Sequence, residues 1–272
     1  MPIQSVGDRE VFYKINGQGE PLLMVAGYGC DHREFNGLAE QLTPYFTVIR
    51  FDNRGVGQTR DNDSGPITVD QLAQDTFALA DYLGLANFHL MGQSMGGTIA
   101  QTMAHWQPNR INKLVITCSV AKWSTATVWV FENLLAMAKA GVAFDHLFNA
   151  MMPWCFGSNF LSDSDRVEAF RHIKKTNPYP QSLLDCERQL HALMTFDSRT
   201  WLDQILVPTL VVGAEQDLIS LPGELAYLAS ALPNAELAML PGGHSMPIHS
   251  PAVLADKICA FLTSGKQFGD RF

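Results

Sequence analysis

Phe88 to Ala100 reads FHLMGQSMGGTIA. The apolar run up to Met91 has the length of a buried strand, and the Gly-, Ala- and Ile-containing run after Ser94 opens a helix. Between them Gly92-Gln93-Ser94-Met95-Gly96 forms a G-x-S-x-G pentapeptide, which in a strand-turn-helix setting is a nucleophile elbow. Glycine is required on both sides because a Cβ there would strike the neighbouring strand or helix. Ser94 then stands at a helix N-terminus, where free N–H groups and the helix dipole favour negative charge. The pentapeptide alone is weak: a chain with 21 glycines in 272 residues shows it by accident about one time in ten. Its weight comes from the flanking strand and helix and from two further pieces downstream.

The rest of the chain reads outward from this elbow as alternating strands and helices. Upstream, Val11–Asn16, Leu22–Ala26 and Phe46–Phe51 are expected strands; downstream, Leu114–Thr117, Thr209–Val212 and Glu236–Leu240 are. Thr68–Leu83 is the clearest helix, with Val69, Leu72, Ala73, Thr76, Ala80 and Leu83 on one face, a Thr68/Gln71 capping pattern and Gly84 as a stop. Pro251–Leu262 is a closing amphipathic helix, and Gly265–Phe272 is expected to fray. This alternation implies an α/β fold whose mostly parallel sheet is covered by helices on both faces. Residues 1–120 and 197–272 form the expected core, and 121–196, helical throughout, an inserted cap. Trp123, Phe144, Phe148, Met152 and Trp154 of the cap are expected to line a substrate pocket, with Trp129, Met151, Phe156 and Phe160 as further candidates.

Composition excludes several classes of function. With 47% hydrophobic and 17% charged residues, the chain has ordinary globular material rather than a disordered composition. A net charge of -8 without a basic run argues against a nucleic-acid or anionic-membrane surface. No apolar run approaches the roughly 18 residues that span a bilayer, and the first residues, MPIQSVGDRE, do not form a signal peptide, so a cytoplasmic location is expected. The five cysteines are scattered without a C-x-x-C pair and read as reduced, mostly buried thiols. Asp52-Asn53-Arg54-Gly55-Val56-Gly57 fails the G-x-G-x-x-G pattern at Arg60 and reads as a structural turn tied down by Asp52 and Arg54. No metal or cofactor motif is present.

A serine hydroxyl needs a base within hydrogen-bond reach and a third group to orient that base. Ser94, Asp217 and His244 follow one another in the order Ser, acid, His, each on a loop after an expected strand. His244 alone among the eight histidines combines the last-strand loop with a preceding glycine pair; Asp203 and Glu215 compete as the acid. The loop Gly27-Tyr28-Gly29-Cys30 follows an early strand, and the Tyr28 N–H is the candidate second oxyanion donor; a plain strand-to-helix turn is the simpler alternative.

Through LLMVAGYG, FDNRGVGQT, GQSMGG, VPTLVVGAEQD and PGGHSMP, the chain resembles the α/β-hydrolase superfamily, and within it the 3-oxoadipate enol-lactonase-like esterases. The resemblance implies the α/β-hydrolase fold with a helical cap, Ser94 as nucleophile, His244 as base and Asp217 as acid. The backbone N–H groups of Met95 and Tyr28 would form the oxyanion hole. The chain departs from the pattern at Ala26, where many relatives carry His, and at His249, where many have Glu. The implied activity is hydrolysis of a small or medium uncharged ester or lactone through an acyl-enzyme, with no cofactor and only a small-molecule partner. Carbon-carbon bond hydrolysis and cofactor-free perhydrolysis use the same parts, and a ligand-binding or signalling protein on a hydrolase scaffold is the reading of another class. Haloalkane dehalogenation is excluded, because it needs a carboxylate where Ser94 stands.

Overall fold

The computed structural model describes residues 3–264, so the expected fraying of Gly265–Phe272 lies outside the described residues. Eight strands form one sheet: β1 (Ile3–Val6), β2 (Arg9–Asn16), β3 (Glu20–Val25), β4 (Phe46–Phe51), β5 (Phe88–Gln93), β6 (Ile111–Thr117), β7 (Thr209–Ala214) and β8 (Ala235–Leu240). Their order is β1-β2-β4-β3-β5-β6-β7-β8. The first two strands run antiparallel to their neighbours and every pairing from β4 to β8 is parallel. The sequence reading missed β1, whose four residues bury only Val6 and carry no alternating pattern.

Side-chain alternation along the strands divides the core in two. Leu23, Val25, Ile49, Leu90, Leu114, Ile116 and Val211 point to one face, where α2 (Val69–Tyr82), α3 (Met95–Trp106) and α9 (Pro222–Ala231) cover them. Leu22, Met24, Val48, Met91, Val115, Leu210 and Val212 point to the other, against α1 (Asn36–Leu42) and α11 (Pro251–Thr263). Thr68 caps α2 through its Oγ1, which accepts the Gln71 N–H at 3.1 Å, and Gly84 at φ +68° ends it.

Between β6 and β7 lie α4 (Thr125–Lys139), α5 (Phe144–Cys155), α6 (Ser158–Leu161), α7 (Ser164–Lys175) and α8 (Leu183–Thr195). Phe131 of α4 and Leu190, Ala192 and Leu193 of α8 join the main core, so this part of the insertion is continuous with the body. Phe148, Met152, Phe156 and Phe160 form a separate small cluster under α7. The four-residue α10 (Met246–His249) lies between β8 and α11.

The Asp52–Arg54 turn is tied down as expected. Asp52 accepts the His32 N–H and the Gln58 N–H, each at 2.8 Å, and Arg54 meets Asp75 at 2.9 Å and Asp61 at 3.3 Å. All five cysteines are unpaired, but burial differs from expectation: Cys118 alone is fully buried, because Cys30, Cys155 and Cys186 lie along the cavity described below and Cys259 on the outer helix α11.

Candidate active site

The elbow has the geometry its glycines imply. Ser94 sits between β5 and α3 at φ 56° and ψ -121°, a region L residues seldom occupy. A Cβ on Gly92 would run into Gly96 and Gly97 of α3, and one on Gly96 would run into the Val25 carbonyl of β3. The turn is therefore closed on both sides by backbone, which leaves the Ser94 side chain at the carboxyl end of the sheet.

Ser94, His244 and Asp217 come together although 150 and 27 residues separate the successive pairs. His244 Nε2 lies 2.8 Å from Ser94 Oγ, and His244 Nδ1 lies 2.9 Å from Asp217 Oδ2 and 3.1 Å from Oδ1. A carboxylate can only accept, so Nδ1 carries the proton and Nε2 presents its lone pair to the serine hydroxyl. All three are nearly enclosed, at 8%, 6% and 1% exposed, so the chain of hydrogen bonds is shielded from competing water. Burial pushes the Asp217 carboxyl up, but the neighbouring imidazole and the Ser220 hydrogen bonds outweigh it and hold the group below its usual range. Asp217 accepts from Ile219 N, Ser220 N and Ser220 Oγ, the last at 2.5 Å. The competing acids fall away: Glu215 is exposed and Asp203 lies in a short 3₁₀ turn before β7.

Three side chains brace the loop after β3, where Ala26 stands. Asn53 Nδ2 donates to the Ala26 carbonyl at 3.1 Å, Glu34 Oε2 accepts the Gly27 N–H at 3.2 Å, and Gln189 Oε1 of α8 accepts the Gly29 N–H at 3.1 Å. Neither Tyr28 N nor Met95 N has an acceptor among the described residues. A Cβ on Gly27 would lie 3.1 Å from Ser94 Cβ, so this loop passes directly beside the serine. His249 finds its role at the turn before His244: its Nε2 lies against Gly243 N and O at 3.2 and 3.0 Å, and its Nδ1 against Ser250 Oγ at 2.7 Å.

A cavity of about 340 Å³ lies between the insertion and these loops. Tyr28, Cys30 and Ser245 carry its lining up to the triad's own loops, and Phe144, Phe148, Met151, Met152 and Phe156 line it from the insertion. Trp123 and Trp154 do not line it, contrary to expectation. Trp123 is held in the main core beside the Lys122–Asp197 bridge, and Trp154, although one helical turn from the lining residue Met151, packs against the main core instead. Trp129 is exposed, and Phe160 belongs to the small cluster under α7.

The sequence reading also missed Gln93, Ser220 and Glu34. Gln93 Nε2 donates to the His244 carbonyl at 2.8 Å, and its Oε1 accepts from Thr117. Only Ser220 had a local signal, a hydroxyl three residues after the acid. Two groups of side chains are close enough to ligate one ion, Cys118/Asp217/His244 and Asp31/His32/Asp52, but their Asp and His members are engaged in the triad or with His32, Arg33 and Gln58.

A parallel sheet with a serine elbow, an acid and a histidine on successive loops at its carboxyl edge defines a hydrolase of the α/β class. The family model for the alpha/beta hydrolase fold matches residues 20–251, and the chain belongs to that family. It is 28% identical to RutD of Azorhizobium caulinodans, named as a candidate carbamate hydrolase, over 96% of this chain and 98% of that one. It is 29% identical to a poly(3-hydroxyalkanoate) depolymerase of Ectopseudomonas oleovorans over 91% of this chain and 86% of the other. The enol-lactonase of Burkholderia xenovorans has the same fold, with a TM-score of 0.86 at 24% identity over 97% of this chain and 100% of that one. No helix among the described residues is long and apolar enough to cross a membrane.

Proposed function

We propose that the protein is a serine hydrolase that cleaves a small or medium carboxylic ester or lactone through an acyl-enzyme. The observation that carries this reading is the unbroken hydrogen-bond chain Ser94–His244–Asp217 beside two unengaged backbone N–H groups. Ser94 Oγ attacks the carbonyl carbon as His244 Nε2 takes its proton, and the imidazolium formed is held by Asp217. The oxyanion is received by the N–H groups of Met95 and Tyr28, the first of which belongs to a helix N-terminus. Collapse of the tetrahedral intermediate expels the alcohol, which takes the proton from His244. Water, activated by the same imidazole, then releases the acid. An ester or lactone is preferred over a more polar substrate because the cavity is walled by Phe, Leu and Met side chains.

The test is turnover of p-nitrophenyl butyrate by wild type and Ser94→Ala. Wild type is expected to turn over many times per site, and the variant to lose on the order of a millionfold in kcat with its melting temperature retained. Activity of Ser94→Ala within tenfold of wild type would remove Ser94 from the chemistry. A single turnover per wild-type site would favour a receptor on the same scaffold.

A further inference from the structure

The carbonyl of His244 accepts two hydrogen bonds. Met246 N donates to it at 2.9 Å across Ser245, which sits at φ -84° and ψ 51°, so His244 opens an inverse γ-turn. Gln93 Nε2, at the end of β5, donates to the same oxygen at 2.8 Å. The next residue of the turn is tied elsewhere: Ser245 N donates to the Cys155 carbonyl of the insertion at 2.8 Å.

Gln93 is fully enclosed, and both ends of its amide are engaged. A carbonyl can only accept, so the His244 oxygen fixes the amide NH₂ on its side and leaves Oε1 to the hydroxyl of Thr117 on β6. The Thr117 carbonyl also accepts the Ser94 N–H, at 2.9 Å. Two consecutive residues of the elbow are thus fixed to one residue of the neighbouring strand, and of these Gln93 reaches the backbone of His244. Packing does not require an amide here. A methionine has nearly the same length and shape and would be enclosed without the cost of desolvating polar atoms.

We propose that Gln93 is a positioning residue: by holding the His244 carbonyl it keeps the imidazole in register with the hydroxyl of the adjacent Ser94. The inference rests on the serine-hydrolase reading and adds to it a side chain that meets neither the substrate nor the transferred proton. Without Gln93, the nearest backbone anchor of the turn outside its own loop is the Cys155 carbonyl, so the base would follow the insertion rather than the elbow. A displacement of about 1 Å between base and nucleophile is enough to cost about a hundredfold in rate.

The experiment sets Gln93→Met against Gln101→Met. Gln101 of α3 is a matched control: it is equally enclosed, its Nε2 donates to the Val120 carbonyl at 3.1 Å, and its Oε1 accepts from Ser198 Oγ at 2.8 Å. Neither partner is a triad residue or adjoins one. With p-nitrophenyl butyrate, Gln93→Met is expected to lower kcat at least about tenfold with KM changed less than about threefold. Gln101→Met should leave kcat within about twofold at a similar loss of melting temperature. Gln93→Asn, one methylene too short to reach the carbonyl, should match Gln93→Met and serves in its place if that variant does not fold. A smaller fall, a fall shared by Gln101→Met, or a KM that rises in step would leave Gln93 with a packing role and overturn the proposal. Exchange of the His244 Nδ1 proton with water, followed by NMR, reads the alignment without turnover, because a loosened imidazole leaves Asp217 more often. It should quicken in Gln93→Met and not in Gln101→Met. If wild type hydrolyses no ester yet this exchange responds to Gln93→Met, the hydrolase reading fails and the positioning role stands. If neither kcat nor exchange responds in a folded variant, the positioning role fails.

Discussion

Ser94 occupies a backbone conformation that costs of order 1–3 kcal/mol for a residue with a Cβ, and the backbone of α3 and β3 packed around Gly92 and Gly96 enforces it. That conformation was legible because it is local: five consecutive residues encode the turn. The carboxylate that meets His244 was less so, since Glu215 and Asp217 lie on the same loop and only three-dimensional contacts separate them. Asp217 is enclosed and holds His244 in one tautomer, whereas Glu215 is exposed to solvent. Asp217→Asn should therefore lower kcat about ten-thousandfold, while Glu215→Gln changes it by less than about threefold. Steady-state rates on p-nitrophenyl butyrate check this, and the reverse ranking would place the acid wrongly. Gln93 and Glu34 were invisible from sequence for a different reason. Each braces the site through a hydrogen bond to backbone at a distance no periodicity records, 151 residues away in the case of Gln93.

Asn53, Glu34 and Gln189 brace the loop between β3 and α1. Glu34 does so at a cost that can be measured. Burial raises its carboxyl above the usual value, although the Gly27 N–H, Lys174 and His244 pull it down. Between the unfolded and the folded value the folded chain binds more protons, so stability falls as pH rises through that window and stays lowered above it. Glu34→Gln keeps an oxygen for the Gly27 N–H without this penalty. Its melting temperature should exceed that of wild type at pH 7, and the gap should close as pH falls below about 4.5. A gap that does not change with pH would mean that Glu34 is not held against ionisation. Among the elements, α2 and the central strands were readable from apolar spacing alone. Spacing along α5 did not separate Trp154 from the cavity, since Leu147 and Met151 share its helix face and do line it; how the helix settles on the body decides the matter.

At the scale of the whole molecule, the insertion is half body and half lid. Helices α4 and α8 share the main core, while α5, α6 and α7 gather around a small cluster of their own and are tied by hydrogen bonds to the loops that carry Asp217 and His244. Ser245 N donates to the Cys155 carbonyl at 2.8 Å, and Ser158 N to Gln216 Oε1 at 2.9 Å. The fold class could be read from the alternation of strands and helices, but the size of the space under the insertion could not, because it depends on how five helices settle against one another. That space, about 340 Å³, is near the lower end of the usual range for small-molecule sites, about 300–1,000 Å³. Each methylene buried there contributes about 0.8 kcal/mol, roughly fourfold in kcat/KM. Across p-nitrophenyl esters from acetate to dodecanoate, kcat/KM should climb over the first few carbons and then collapse, since a longer chain no longer fits the cavity. A rise sustained to twelve carbons would indicate an open groove in place of this cavity, and a flat profile would mean that Phe148, Met152 and their neighbours never touch the acyl chain.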